Sequence, residues 1–308
     1  MRNVLPQPSP VRVAAMSPET TGVIHDLGYQ RYDGGRLGRM QIVRTLYWYS
    51  LRAAFGLGRG ARAKILPVGL FALMCAPAVV EAVIVARGGT RAVPYDTYVF
   101  PLRVVVMTIF VAAQAPELVS KDRRCRVLPL YFARPLHRGD YPLAKFAALT
   151  VACLAMIDVP LVLLYAGTIS SLHSGSAIWG ETRALLPGLL IGALWSVTLT
   201  VVGLAIASFS GRRAYTTGAI AVFFFLSWSL AQFLVTVGGR GPVTQPTLAG
   251  LVSPFTILDG VRLWLGGTAT GPLPAVGRYG PAYGLSLLVL LVVAALVLAA
   301  RYRKEDAA

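Results

Sequence analysis

Residues 114–146, QAPELVSKDRRCRVLPLYFARPLHRGDYPLAKF, form a polar, strongly basic segment between two long apolar runs. The segment carries Lys121, Arg123, Arg124, Arg126, Arg134, Arg138 and Lys145 against Glu117, Asp122 and Asp140. A Lys or Arg at the centre of a bilayer costs about 2.5–3.5 kcal/mol on insertion scales. The segment therefore belongs in water, and the positive-inside bias places it on the cytosolic side. Its charges form no catalytic pattern, and it reads as a surface built to meet another protein.

Working outward, the whole chain is apolar. Of 308 residues, 56% are hydrophobic and 14% charged, where a soluble domain carries about 25% charged residues. This composition indicates an all-α polytopic membrane protein. The net charge of +16 lies in the loops, where it sets topology and meets anionic headgroups. With no nucleic-acid-binding motif, nucleic acid is not expected as a partner. Cys75, Cys125 and Cys153 have no metal-ligand spacing and suit a reduced setting. The first sixty residues contain no apolar core of a signal peptide, so no cleaved signal is expected.

Six apolar stretches reach the roughly 20 residues a spanning helix needs: 65–86, 99–118, 146–167, 184–209, 214–237 and 279–300. An even number puts both termini on one side. Of the 29 Lys and Arg residues, twenty-two fall in the region up to Lys64, the 117–145 segment, Arg212–Arg213 and the tail after Ala300; seven fall opposite. That bias puts both termini in the cytosol of a multi-pass protein of the cytoplasmic membrane, with 65–300 as the transmembrane domain and 301–308 as a tail.

Two further segments stand out. Residues 1–36 are rich in Pro, Gly and Arg and read as a cytosolic N-terminal arm. Residues 37–62 carry a helical amphipathic pattern, with Met40, Val43, Leu46, Tyr47, Leu51, Ala54, Phe55 and Leu57 on one arc and Gln41, Thr45 and Arg52 opposite. This predicts an interfacial helix on the inner leaflet, in contact with membrane lipid. Between the fifth and sixth stretches lies SPFTILDGVRLWLGG, residues 253–267, too short to span. Ser253 as N-cap, Pro254 at the first position and Gly266 at the end predict a helix there, re-entrant or on the outer surface.

Two carboxylates fall inside predicted spans. Asp158 sits mid-span beside Pro160 and is a cargo or proton-reading candidate, or a structural carboxyl at a kink. Glu81 lies in the outer third of the first span, within reach of Arg87 or Arg103, and reads as an ion pair more readily than as a transport group. Gly188 with Gly192 and Gly280 with Gly284 form small-residue seams for close helix packing or dimerisation. No Gly precedes a Lys, so a Walker A loop is excluded; His25, His137 and His173 are far apart, and no G-x-S-x-G elbow occurs. No catalytic residue, metal site or cofactor is expected in this chain.

In the 117–145 segment Glu117 ends the second span, basic residues follow, Arg134–Pro135 makes a turn, and Lys145 enters the third span. This order resembles the inner loop of the ABC-2 type transporter permeases. The SPFTILDGVRLWL stretch resembles that family's outer segment before its last helix, and HDLGYQRYDGGRLGR, residues 25–39, resembles the start of actinobacterial members. The resemblance covers about residues 22–303. It implies a transmembrane subunit of an ABC exporter that works as a homodimer or heterodimer with a second permease subunit. Two cytosolic ATPase subunits would carry ATP and Mg and dock on residues 37–62 and 117–141. Glu117, Lys121, Arg123, Arg124, Arg126, Arg134 and Arg138 would then couple this chain to them. The rival reading is a stand-alone ion- or proton-coupled transporter using Asp158; a membrane enzyme is a distant third.

Overall fold

A computed structural model describes residues 38–89, 93–98, 100–124, 139–238, 248–268, 273 and 276–305, side chains excepted at 120–124, 238 and 302–305. The 1–36 arm, Arg126, Arg134 and Arg138 lie outside the described residues. Among the described residues every regular element is helical. In chain order these are α1 (Arg39–Ala54), α2 (Ala61–Ala86), α3 (Phe100–Arg124), α4 (Asp140–Ile169), α5 (Gly175–Ala207), α6 (Arg213–Gly238), α7 (Pro254–Trp264) and α8 (Gly280–Glu305). Short 3-10 turns at Tyr95–Thr97, Ala249–Val252 and Gly277–Tyr279 join them. Helices α2 to α6 and α8 are each long and apolar enough to cross a membrane, which marks the chain as a multi-pass membrane protein.

These six helices are not equivalent. More than half of the apolar window is buried in α3, α4 and α5, but only about a fifth in α2, α6 and α8. The former make the middle of the bundle, and the latter turn Val80, Phe233 and Leu288 outward. In a membrane such exposed apolar faces meet lipid. A row of rings ties the middle to the shorter helix α7. Trp195 of α5 packs edge-on against Phe100 of α3 at 5.4 Å and, tilted by 36°, against Phe255 of α7 at 5.3 Å, and Phe255 meets Phe224 of α6 at 5.4 Å. Each such pair contributes about 0.5–1.5 kcal/mol beyond its buried area.

Helix α1 ends earlier than its apolar pattern, and the reason is local. Gly56 and Gly58 adopt φ of 68° and 85°, the left-handed region that glycine enters without penalty. A Cβ on Gly56 would also lie 2.5 Å from the Ala63 carbonyl oxygen, so the chain reverses there. The apolar arc of α1 faces protein: Leu46, Ala53 and Ala54 are buried, with Val43, Tyr47, Leu51 and Phe55 packed beside them. Contacts are chiefly with α4, then α3. Met40 and Leu57, assigned to the same arc, are exposed. The outward face of α1 is Gln41, Arg44, Thr45, Trp48, Tyr49 and Arg52.

Helix α7 forms where its caps predict it. The Phe255 N–H donates to Ser253 Oγ, Pro254 occupies the first turn, and Gly266 at φ 90° ends the element. It is no plain surface helix, because every residue from Pro254 to Arg262 is buried. Close approach explains this: a Cβ on Gly260 would sit 2.2 Å from the Tyr283 ring of α8. The Gly280–Gly284 seam likewise receives Trp264, at 2.2 and 2.9 Å from the would-be Cβ atoms. The small residues of α8 are spent on packing within the chain.

Candidate functional site

The basic end of the bundle holds the ends of α3 and α5, the starts of α2, α4 and α6, and α1. Its central group is Glu117, whose side chain is 10% exposed. Oε1 lies 2.6 Å from Arg59 Nη1, in the turn before α2, and Oε2 lies 2.8 Å from Arg213 Nη1, the first residue of α6. One carboxylate on α3 therefore clasps two other elements. A second tie joins α1 to α4: Arg39 Nε and Nη2 donate to the two oxygens of Asp140 at 2.7 and 2.6 Å. Hydrogen bonding to Asp140 raises the Arg39 pKa above its ordinary value. Asp140 opens α4, where the helix dipole favours an anion. Lys145, one turn on, is buried with its ammonium 5.4 Å from the Tyr141 ring.

Of the residues expected to couple to a partner, the structure brings Glu117 into this platform and occupies both its oxygens from within the chain. Lys121, Arg123 and Arg124 fall in the last turns of α3. Sequence reasoning missed Arg59, Arg213 and Arg39 as the cations that position Glu117 and Asp140. Their signal was weak: each is one Arg among many in a basic region.

The opposite end holds a buried charge cluster that sequence reasoning did not assemble. Arg262 of α7 donates through Nη1 to Asp96 Oδ2 at 2.7 Å and through Nε to Asp259 Oδ1 at 2.9 Å. Asp96 also accepts from the Thr268 N–H at 2.9 Å and from its hydroxyl. Asp259 Oδ2 accepts from the Leu273 N–H at 3.2 Å. Burial pushes both carboxyls up. For Asp96 the donors from Thr268 and Arg262 outweigh burial and hold it below its usual value, whereas Asp259 stays above its own. The one available signal was the i, i+3 spacing of Asp259 and Arg262 on a short helix.

Arg103 lies close by, 1% exposed, its guanidinium carbon 4.4 Å from the Trp195 ring centroid and 5.5 Å from that of Phe100. Ring faces take the place of a carboxylate for this cation, although Nε and Nη2 have no hydrogen-bond partner. Arg103 thus faces Trp195 where the sequence offered it to Glu81. Glu81 Oε1 instead accepts from the Val93 N–H at 2.9 Å. Asp158 projects from α4 against Gly192 of α5, where a Cβ would lie 2.0 Å from Oδ1. That oxygen is buried without a hydrogen-bond partner. Gly188 gives its space to Tyr95, 3.0 Å from its would-be Cβ. The α5 seam therefore seats α4 and the 95–97 turn of the same chain. Among the described residues no group of three or more His, Cys, Asp or Glu is placed to hold a metal. No family model matches this chain, and no curated protein matches it.

Proposed function

We propose that this chain is the membrane-spanning permease subunit of an ATP-binding cassette transporter, moving a hydrophobic or amphipathic cargo outward. The observation that carries this reading is the platform at the basic end. Glu117 joins α3 to the starts of α2 and α6, and Arg39–Asp140 joins α1 to α4. Between them these ties reach four of the six long helices. The chain brings no phosphate-binding loop of its own, so the push on them comes from separate ATPase subunits, which supply ATP and Mg. In this reading the platform faces the cytosol, α1 lies at the inner surface, and α7 sits in the outer half of the membrane. A second permease subunit completes the path. Closure of the ATPase pair acts as the ligand that biases the bundle between two arrangements.

Two experiments test it. Cys125 lies within the basic loop, while Cys153 is buried and Cys75 half-buried in long helices. A membrane-impermeant maleimide is expected to label Cys125 in inside-out vesicles and not in intact cells; the reverse result overturns the topology. An ATPase encoded beside this chain is expected to co-purify with it and to be stimulated by it. A Glu117→Ala, Arg124→Ala double variant is expected to lose that stimulation. Unchanged stimulation, or nucleotide turnover by the purified chain alone, overturns the assignment.

A second reading rests on one observation, the unpartnered Oδ1 of Asp158 inside α4. It is a proton-coupled carrier that needs no ATPase. Cargo movement in liposomes driven by a pH gradient alone, and abolished in Asp158→Asn, favours it.

A further inference from the structure

A cavity of about 590 Å³ opens between the 94–96 turn, the first half of α5 and the loop after α7. Its lining includes Tyr95, Pro187, Ile191 and Leu265, with Asp96 and Arg262 as the charged part of the wall. Small-molecule sites have this character: roughly 300–1,000 Å³, mostly apolar, with a few placed polar groups. The rim residues Leu190 and Leu265 are 71% and 68% exposed. Leu190 belongs to a span-length helix, so the mouth faces sideways, toward bilayer chains.

The polar wall limits what fits. Arg262 is 2% exposed, and its charge is met by Asp96 and Asp259. An anionic head entering here meets the Asp96 carboxylate, and a cationic head meets Arg262; either must be desolvated without a free counter-charge. Arg262 Nη2 lies 2.8 Å from Asp259 Oδ1 and is closed off from the cavity. The wall therefore offers a bound head a paired, already neutralised surface and no spare charge. The wall is also preformed: a Cβ on Gly267 would lie 2.8 Å from Arg262 Cγ and 3.0 Å from Asp96 Oδ2, so the loop is pressed onto the pair.

We infer that this cavity binds a neutral amphiphile drawn sideways from the bilayer, with one apolar chain along α5 and its uncharged head against the paired Asp96 and Arg262. The site lies at the opposite end from the platform and does not depend on an ATPase partner.

The test uses the purified full chain with three probes of equal chain length: a monoacylglycerol, a fatty acid and an alkyltrimethylammonium. Native mass spectrometry is expected to show the monoacylglycerol bound about tenfold more tightly than either charged probe. A diazirine on its chain is expected to label the 187–191 stretch. Ile191→Trp fills the cavity and is expected to abolish binding. Leu190→Trp narrows the mouth at an exposed position, leaves the fold intact and is expected to weaken binding. Leu230→Trp, an exposed position on α6, is expected to change nothing. Tight binding of either charged probe, labelling elsewhere, or full binding by a folded Ile191→Trp or Leu190→Trp protein overturns the inference.

Discussion

The two ends of this bundle both use ion pairs, and they use them in opposite ways. At the basic end the pairs are wet on one side: Arg213 is 63% exposed, Arg39 48% and Arg59 26%. At the other end Arg262 is 2% exposed and Asp259 fully buried. Exposed pairs contribute little and are screened by salt. A buried pair contributes little as a pair, yet removing one partner strands the other charge. The difference separates two tasks. The basic end holds its elements together by contacts that water and salt can trade against, while the far end is locked into one arrangement. Four substitutions, in order of expected effect, test how real that difference is.

Arg262→Ala is the largest. It leaves Asp96 and Asp259 buried without their shared cation, a loss of about 3–5 kcal/mol, read as a lower unfolding midpoint in detergent. The pH dependence of its partners carries signs that can be worked out. Asp96 has a depressed folded pKa, so its contribution is complete above the ordinary carboxylate value near 3.9 and fades as pH falls through the lower folded value. Asp259 has a raised folded value; its ionised form is a burden at neutral pH, relieved as pH falls through that value. Asp96→Asn is therefore expected to lower Tm more than Asp259→Asn at neutral pH, and its deficit against wild type to shrink below about pH 4.

Gly260→Ala comes second. The added Cβ would meet the Tyr283 ring at 2.2 Å, and that ring is itself fully buried. Overpacking of this kind costs about 1–3 kcal/mol. Because the clash holds α7 off α8, the variant is also expected to speed deuterium exchange in 254–264. If exchange rises only near Tyr283 and α7 stays protected, the far end does not open as one unit.

How much of this was legible in the residues themselves depends on range. Span count followed from apolar length, and α7 from Ser253, Pro254 and Gly266, because both are local properties. The face that α1 buries was also legible, but not what it faces: an apolar arc satisfies lipid and protein alike, and only the Arg39–Asp140 tie and the packing of Leu46 on the bundle decide it. The glycine seams were legible as close contacts, and their partners were not. Nothing near Gly192 in sequence points to Asp158, 34 positions earlier. Asp96 and Arg262 are 166 residues apart, and each alone reads as an ordinary loop or helix charge.

Glu117→Gln is third. It keeps the shape of the side chain and removes the charge that clasps Arg59 and Arg213. With Arg213 largely in water, the expected loss is about 1 kcal/mol after screening, well below that of Arg262→Ala. Added salt, at about 0.5 M, is expected to shrink the gap between this variant and wild type. It is not expected to change the deficit of Arg262→Ala, whose charges salt does not reach. A Glu117→Gln loss as large as that of Arg262→Ala would erase the distinction between the two ends.

The smallest effect on stability is expected from Arg39→Gln. The Arg39–Asp140 fork has good bidentate geometry, the kind that most favours a measurable contribution. Yet half of the Arg39 side chain is in water, and Asp140 keeps a favourable seat at the start of α4 without it. Thermal unfolding of the isolated chain is therefore expected to change little. What the fork supplies is direction: two hydrogen bonds fix how α1 lies along α4, where one would let it swing. The readout is the distance between spin labels at Trp48 and Leu143, both exposed. Arg39→Gln is expected to broaden that distribution while Tm stays in place, and Arg39→Lys, which keeps the charge but loses the fork, to broaden it nearly as much. A Lys variant as narrow as wild type would assign the tie to charge alone and would leave the second hydrogen bond of the fork no part in fixing how α1 lies along α4.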